Sequence, residues 1–412
     1  MTMDTRSRPV VIAGGGIAGL TAALAFAQRG FAVEIYEQAP RLETVGAGIQ
    51  LSPNATRILA SLDVLERLLP MAVRPEAVAL KDAASLKERA RVPLGAFAEQ
   101  RWQAPYLTAH RADVQAALVA RVAETAGIRL ITGATLTDIG TSPENLVGTF
   151  DQEGTEVRPI GSLLIGADGV WSKVRELPGL AGKSRFTGEL AWRITIAADS
   201  TAGRTFASVG AAGCVTAFLH SGFHLIAYPV SAGAAINLVA FTKGERIAEG
   251  WSGHADPAIL TGALKGAAPA LERLIAEAGT WLAWPLHAVD QKQSWTLPQC
   301  VALIGDAAHA MTPFAAQGAG MAIEDAATLA ACIAESPASI AHALATWEQQ
   351  RKPRVVKVAR RGALNHLAWY ATGPVALARN LVLALRPQHR LASDLDWLYG
   401  WHMPDTGAAR KA

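Results

Sequence analysis

Six residues, Gly14-Gly15-Gly16-Ile17-Ala18-Gly19, constrain this chain more than any other feature. They lie between an apolar run of strand length, residues 9–13 (PVVIA), and a stretch with helical spacing, residues 17–29, which Gly30 stops. Residues 31–37 then alternate as a second strand. A strand–helix–strand unit with a right-handed crossover predicts a parallel sheet. Gly14, Gly16 and Gly19 fall on the GxGxxG spacing, and Glu37 follows Gly19 by 18 residues. Gly14 allows the tight turn, Gly16 lets a pyrophosphate approach the backbone, and Gly19 lets helix and strand pack closely. The helix N-terminus offers free N–H groups and partial positive charge to the phosphates. Glu37, at the end of the second strand, can accept both ribose hydroxyl hydrogens, and its charge repels a 2′-phosphate. The pattern indicates a dinucleotide and by itself does not separate FAD from NAD.

Around this unit the chain reads as an α/β protein of two or three domains. Helices are predicted over 53–69 and 112–126, and short buried strands over 128–131, 162–166 and 300–304. From about 183 to 285 short β-rich runs alternate with Gly- and Ser-containing turns, which predicts a mostly antiparallel sheet followed by a helix near 256–276. After 304 the chain is almost entirely helical. The first domain is therefore discontinuous: residues 1–182 and 286–345, with a β-rich substrate domain at 183–285 inserted and C-terminal helices at 346–412.

Composition excludes several classes. Half the 412 residues are hydrophobic and 18% are charged, so a large core forms. A formal charge of +3 is too small to point to nucleic acid. Cys214, Cys300 and Cys332 lie far apart without CxxC spacing, which suits a reducing cytosol and no disulfide framework. Histidines show no metal-binding spacing, and GxSxG is absent. The first residues lack the length and cleavage site of a signal peptide. No stretch of 18 apolar residues occurs; the nearest, 373–387, is interrupted by Arg379 and Asn380. The chain is therefore expected to be cytoplasmic, with no membrane span. The 373–387 helix reads first as packing on the body and second as a peripheral membrane contact.

Two further motifs select the flavin. Residues 164–175 (LIGADGVWSKVR) and 303–320 (LIGDAAHAMTPFAAQGAG) each put Gly and Asp just after a buried strand, where ligands sit in a parallel sheet. Asp306 suits a ribityl hydroxyl. Gln317-Gly318-Ala319-Gly320 opens a helix whose amides favour negative charge on a reduced ring. Together with the glycine fingerprint, these motifs resemble the three signatures of the class A flavoprotein monooxygenases, and most nearly the salicylate hydroxylase type. The segment Thr44–Asn54 and the Ala109-His110-Arg111 run are similar to that branch too. The likeness runs from about residue 9 to 345.

That resemblance implies a glutathione reductase-type FAD domain, tightly bound FAD and transient NADH or NADPH. The flavin is reduced, adds O2 at C4a, and the hydroperoxide hydroxylates an activated aromatic ring. It implies that Arg111 reaches the FAD phosphates or the flavin-side loop, that Asp168 braces FAD, that Asp306 holds the ribityl chain, and that Gly318, Ala319 and Gly320 meet the isoalloxazine. Ile17, Ala18, Gln38, Arg41, Gln50 and Leu136 complete the cofactor-binding set. On the substrate side, His224 and Tyr228 share a strand face about 13 Å apart, and relatives use a similar His–x3–Tyr-Pro segment to bind and deprotonate substrate. Pro313 caps the pocket. Either Trp192 or Arg193 faces the substrate, and alternation sends the other outward. His309 reads as packing, and His220 as exposed. Two departures matter. Ser231 stands where relatives often carry an Arg after the Tyr-Pro-Val run, which weakens salicylate itself. Pro313 replaces a polar side chain used in hydroxylation para to a hydroxyl. The same chemistry on a larger, non-aromatic metabolite is the alternative, and a flavin-binding sensor without turnover a third. The late helices, 338–404, have two expected places: over the β-insert or in a homodimer contact.

Overall fold

The computed structural model describes residues 8–42, 47–141, 146–180, 182–245, 256–298, 300–336 and 338–404. Strand Val10–Ala13 pairs in parallel with Val33–Glu37 on one side and Leu163–Gly166 on the other. Ile128–Thr132 and Val301–Leu303 extend this sheet outward in parallel, and Thr296–Leu297 closes one edge antiparallel. The inner strands are buried, as continuous apolar runs covered on both faces must be. Helix Ile17–Ala27 is buried on nearly all sides beneath helices Arg111–Glu124 and Gly318–Glu335. Ala13 pairs with Gly166, and Gly166 with Leu303. That register delivers the glycine fingerprint and the two glycine–aspartate turns to one sheet edge.

A second sheet of seven strands runs Leu282–Ala288, Arg185–Ala197, Ala235–Lys243, His224–Val230, Val215–Leu219, Ala77–Asp82, Glu88–Pro93. Its pairs are antiparallel except Val215–Leu219 with Ala77–Asp82. The last two strands come from the first third of the chain, and their alternation is too short and too polar to have announced them. One face packs Trp192, Phe218 and Leu238 under helices Thr201–Val209 and Pro269–Glu277, the second of which contributes Leu271. The other carries Ile226, Tyr228, Val239 and Phe241. Gly48–Leu51 and Leu107–His110 form a separate two-stranded ribbon beside it.

Two expected helices are divided. Residues 53–69 become Pro53–Ser61 and Leu65–Leu68, separated at Asp63, whose φ of 58° reverses the chain. Residues 256–276 become Pro257–Ala263 and Pro269–Glu277, separated by Gly266 at φ 92°. The long helix Ile340–Trp369 ends on the second sheet, where the Tyr370 hydroxyl donates to the Phe241 carbonyl. Helix Gly373–Leu385, expected first to pack on the body, buries none of its residues. Among the described residues no helix is long and apolar enough to cross a membrane.

Candidate active site

A cavity of about 340 Å³ lies between the carboxyl edge of the parallel sheet and the Tyr228 face of the second sheet. Gly16, Ile17, Ala18, Gln50, Arg111, Asp306, Pro313, Gly318, Ala319 and Tyr228 line it, so the fold brings these sequence candidates together.

The glycine fingerprint is built by contact distances. A Cβ on Gly14 (φ 108°) would lie 2.4 Å from the Ala167 carbonyl oxygen, and one on Gly19 would lie 1.9 Å from the Gly14 oxygen. Both sites tolerate only hydrogen. Above Gly16 and Gly318, by contrast, nothing lies within 4 Å of an added Cβ. The helices starting at Ile17 and Gly318 have no side-chain cap, so their first amides are left for a ligand. An elongated space between two uncapped helix starts fits a dinucleotide. Glu37 sits beside it: its Oε2 accepts the Gly15 N–H at 2.6 Å and its Oε1 that of Ala39.

The second motif acts as a brace. Asp168 Oδ2 accepts the N–H groups of Lys173 and Val174, and its Oδ1 is buried without a partner. Burial pushes this carboxyl above the usual range. Arg175, fully buried, donates to the carbonyls of Val170, Gly182 and Ala307 and so fastens the second loop to the third.

The third loop is held from below. Asp325, on helix Gly318–Glu335, accepts Gly305 N–H at 3.0 Å, His309 Nε2 at 2.5 Å and Arg351 Nε at 2.8 Å. Burial alone would raise its pKa, but His309 and Arg351 outweigh that and hold it down to about 2. Its neighbour Glu324 accepts from Asn54, Arg351 and Arg354. Asn54 bonds Gln317, which bonds Ser52. This ion cluster ties the Gly318 helix start to the start of helix Pro53–Ser61, directly after the Gly48–Leu51 strand. Sequence reading had Asn54, Gln317, Glu324 and Asp325 in motifs but gave Glu324, Asp325 and Arg351 no role, because their partners are remote in sequence.

The substrate side answers the alternation question. Arg193 lines the cavity, and Trp192 points the other way, fully buried, its Nε1 bonded to Thr242. The Arg193 guanidinium sits 4.7 Å above the Trp284 ring, and its Nε is buried with no hydrogen-bond partner. Burial pushes its pKa down to about 10; the Tyr228 and Asp306 side chains support the charge and Arg111 opposes it. Tyr228 is buried in the same wall, and burial drives its phenol well above the usual value against the pull of Arg193 and Gln50. A Cβ on Gly48 would meet the Tyr228 ring at 2.6 Å, so only glycine lets the ribbon lie against this wall. Trp284, Met311 and Ile49, unassigned from sequence, complete the apolar lining.

Other candidates lie elsewhere. His224 is outside the cavity lining, one layer behind Phe241 and Phe314, with its ring stacked 4.1 Å from Trp369. Its Nδ1 pairs with the Phe218 carbonyl, and burial lowers its pKa to about 3, so it is neutral. Its expected contact with substrate is corrected accordingly: Phe241, on the neighbouring strand, takes the wall position instead. Leu136 is part of the hydrophobic core, and Gln38 and Arg41 are exposed beyond the Val33–Glu37 strand. Gly320 backs onto Gln317 and Asn54 rather than the cavity. Of the Thr44–Asn54 segment, Thr44, Val45 and Gly46 lie outside the described residues.

Comparison with known proteins agrees with this geometry. Residues 7–362 match the family model described as FAD binding domain. The chain is 32% identical over 404 residues to 3-hydroxybenzoate 6-hydroxylase of Polaromonas naphthalenivorans, covering 98% of each. It is 32% identical over 355 residues to 6-hydroxynicotinate 3-monooxygenase of Bordetella bronchiseptica, covering 85% of this chain and 89% of that one. In fold it is similar to Klebsiella pneumoniae HpxO in complex with FAD and uric acid, at a TM-score of 0.81 and 23% identity, covering 97% and 98% of the two chains.

Proposed function

The chain belongs to the FAD-binding class A flavoprotein monooxygenases, and from that premise we propose that it hydroxylates a small aromatic carboxylate bearing a ring hydroxyl, with NAD(P)H and O2 as co-substrates. Arg193 carries this reading. It is a cation with a buried, unpartnered Nε in the wall of a largely apolar cavity. Hydroxybenzoate and hydroxynicotinate, on which the two relatives above act, are both ring carboxylates.

FAD, when bound, supplies acceptance of hydride from NAD(P)H and the activation of O2 for oxygen transfer. The uncapped amides at Ile17 would hold its phosphates, and those at Gly318 would favour negative charge on its reduced ring. Asp306 and Glu37 offer acceptors to hydroxyls along the nucleotide, and Asp168 with Arg175 fixes the loops. Arg193 binds the substrate carboxylate. Tyr228, kept protonated by burial, donates to the ring oxygen and so favours the phenolate, the form more reactive toward an electrophile. Phe241, Trp284, Met311 and Pro313 exclude water. His224 supports the wall.

Carbon 6 of 3-hydroxybenzoate is para to its hydroxyl, the outcome that Pro313 argued against; the anchored carboxylate at Arg193 is the better guide to regiochemistry. We assign residues 1–182 and 286–345 to the FAD domain, with strands Ala77–Pro93 contributed to the substrate sheet, and the protein to the cytoplasm, where free Cys214, Cys300 and Cys332 persist. The test is a panel of hydroxybenzoates, hydroxypyridine carboxylates and plain phenols, read by NADH oxidation, peroxide release and product mass. Carboxylated phenols are expected to stimulate coupled oxidation. Stimulation by none of them contradicts the proposal.

A further inference from the structure

We propose that helix Gly373–Leu385 docks the protein on an anionic bilayer surface. The helix is inverted relative to the usual amphipathic pattern. Its polar residues Arg379 and Asn380 turn toward the body, where Arg379 donates to the Ala368 carbonyl at 2.7 Å. Its outward positions are Val375, Leu377, Leu381, Val382 and Leu385, with Leu377 71% and Leu385 72% exposed. Leu364 and Leu367 on the preceding helix, 63% and 65% exposed, add to this apolar surface. A patch of this kind on a helix with no buried residue marks an interaction site.

Charge selects the occupant. Residues 349–393 contain nine Lys and Arg and no Asp or Glu, although the whole chain carries only +3; Arg351, Lys352 and Arg354 are held by Glu324, Asp325 and Glu348, and the rest include the cations beside the leucines. Arg360 and Lys357 continue the Leu364 stripe one and two turns earlier, and Arg386, paired with Asp394, and Arg390 follow Leu385; all four are exposed. A symmetric contact with a second copy would set these cations against each other. An interface of lipid tails beneath acidic headgroups satisfies both the leucines and the cations. The helix has 13 residues, too short to span, so it lies in the interfacial plane.

Flotation of the FAD-loaded full chain with vesicles of equal parts phosphatidylcholine and phosphatidylglycerol tests this. The protein is expected to float with them, less as salt rises, and not with phosphatidylcholine alone. Leu377→Glu with Leu381→Glu is expected to lower partitioning at least tenfold, and Arg360→Gln with Arg390→Gln by about 25-fold, roughly fivefold per cation. FAD content and NADH oxidation should not change, since none of these residues lines the cavity. Failure to float, equal flotation on the neutral vesicles, or a wild-type dimer that the leucine variant splits would each overturn the proposal. None of these results bears on whether the chain hydroxylates an aromatic ring.

Discussion

Replacing Arg193 by Met removes the cation and keeps an unbranched apolar stem over Trp284. If Arg193 anchors a substrate carboxylate in this apolar wall, the loss is that of a charge-assisted hydrogen bond to a buried anion, about 1.5–3 kcal/mol. Leaving that anion unpaired raises it toward about 3–5 kcal/mol. At 1.36 kcal/mol per decade, a central value near 3 kcal/mol predicts a fall of about 150-fold in kcat/KM for a hydroxybenzoate. The matching phenol without a carboxylate should change by less than about threefold. Stability should move the other way. A cation whose folded pKa lies at about 10, below its unfolded value, costs stability at every pH below 10, so the variant should melt at the wild-type temperature or above. Steady-state kinetics on the matched pair, with flavin absorbance and a thermal melt, are sufficient to test this. Equal losses on both substrates, or loss of FAD, would refute the assignment.

Asp325→Asn should cost about 3–5 kcal/mol, because a buried amide cannot satisfy Gly305, His309 and Arg351 together; thermal melts and FAD retention should fall together. Since the folded pKa is depressed, the wild-type carboxylate contributes above about pH 4 and that contribution is lost as pH falls toward 2, so acid unfolding of the variant should be less steep. Gly16→Ala should leave the melt nearly unchanged while lowering FAD affinity, whereas Gly19→Ala should unfold the first strand–helix unit, its Cβ falling 1.9 Å from the Gly14 oxygen; equal effects in the two would contradict the roles given them. His224, with its pKa near 3, does not titrate between pH 6 and 8. His224→Phe should therefore leave the shape of the pH–rate profile intact, and a missing ionisation would place the ring in the reaction.

The FAD half of the site was legible because its information is local. Gly14, Gly16 and Gly19 are separated by two and three positions, and the neighbouring apolar runs identify the strand and helix that present them. The substrate half depends on which face of a strand looks inward. For Trp192 and Arg193 alternation offered two answers, and only the pairing of Arg185–Ala197 between two antiparallel neighbours chose one. His224 and Tyr228 do share a face, as their spacing required, but the end of helix Ile340–Trp369 covers one and not the other. No local pattern carries that, nor the buried partners of Arg351, 26 and 27 residues away. For helix Gly373–Leu385 the sequence left two readings, packing on the body and a peripheral membrane contact, and its apolar content does not tell that the residues facing the body are Arg379 and Asn380.

Three loops at one sheet edge together present the site for a single flavin nucleotide. Stripping the protein and titrating it with FAD, followed by flavin fluorescence, measures that directly. Saturation at one FAD per chain, weakened strongly by Asp306→Ala and little by Tyr228→Phe, is the predicted result. A chain that binds no FAD, or one whose binding is indifferent to Asp306, contradicts it.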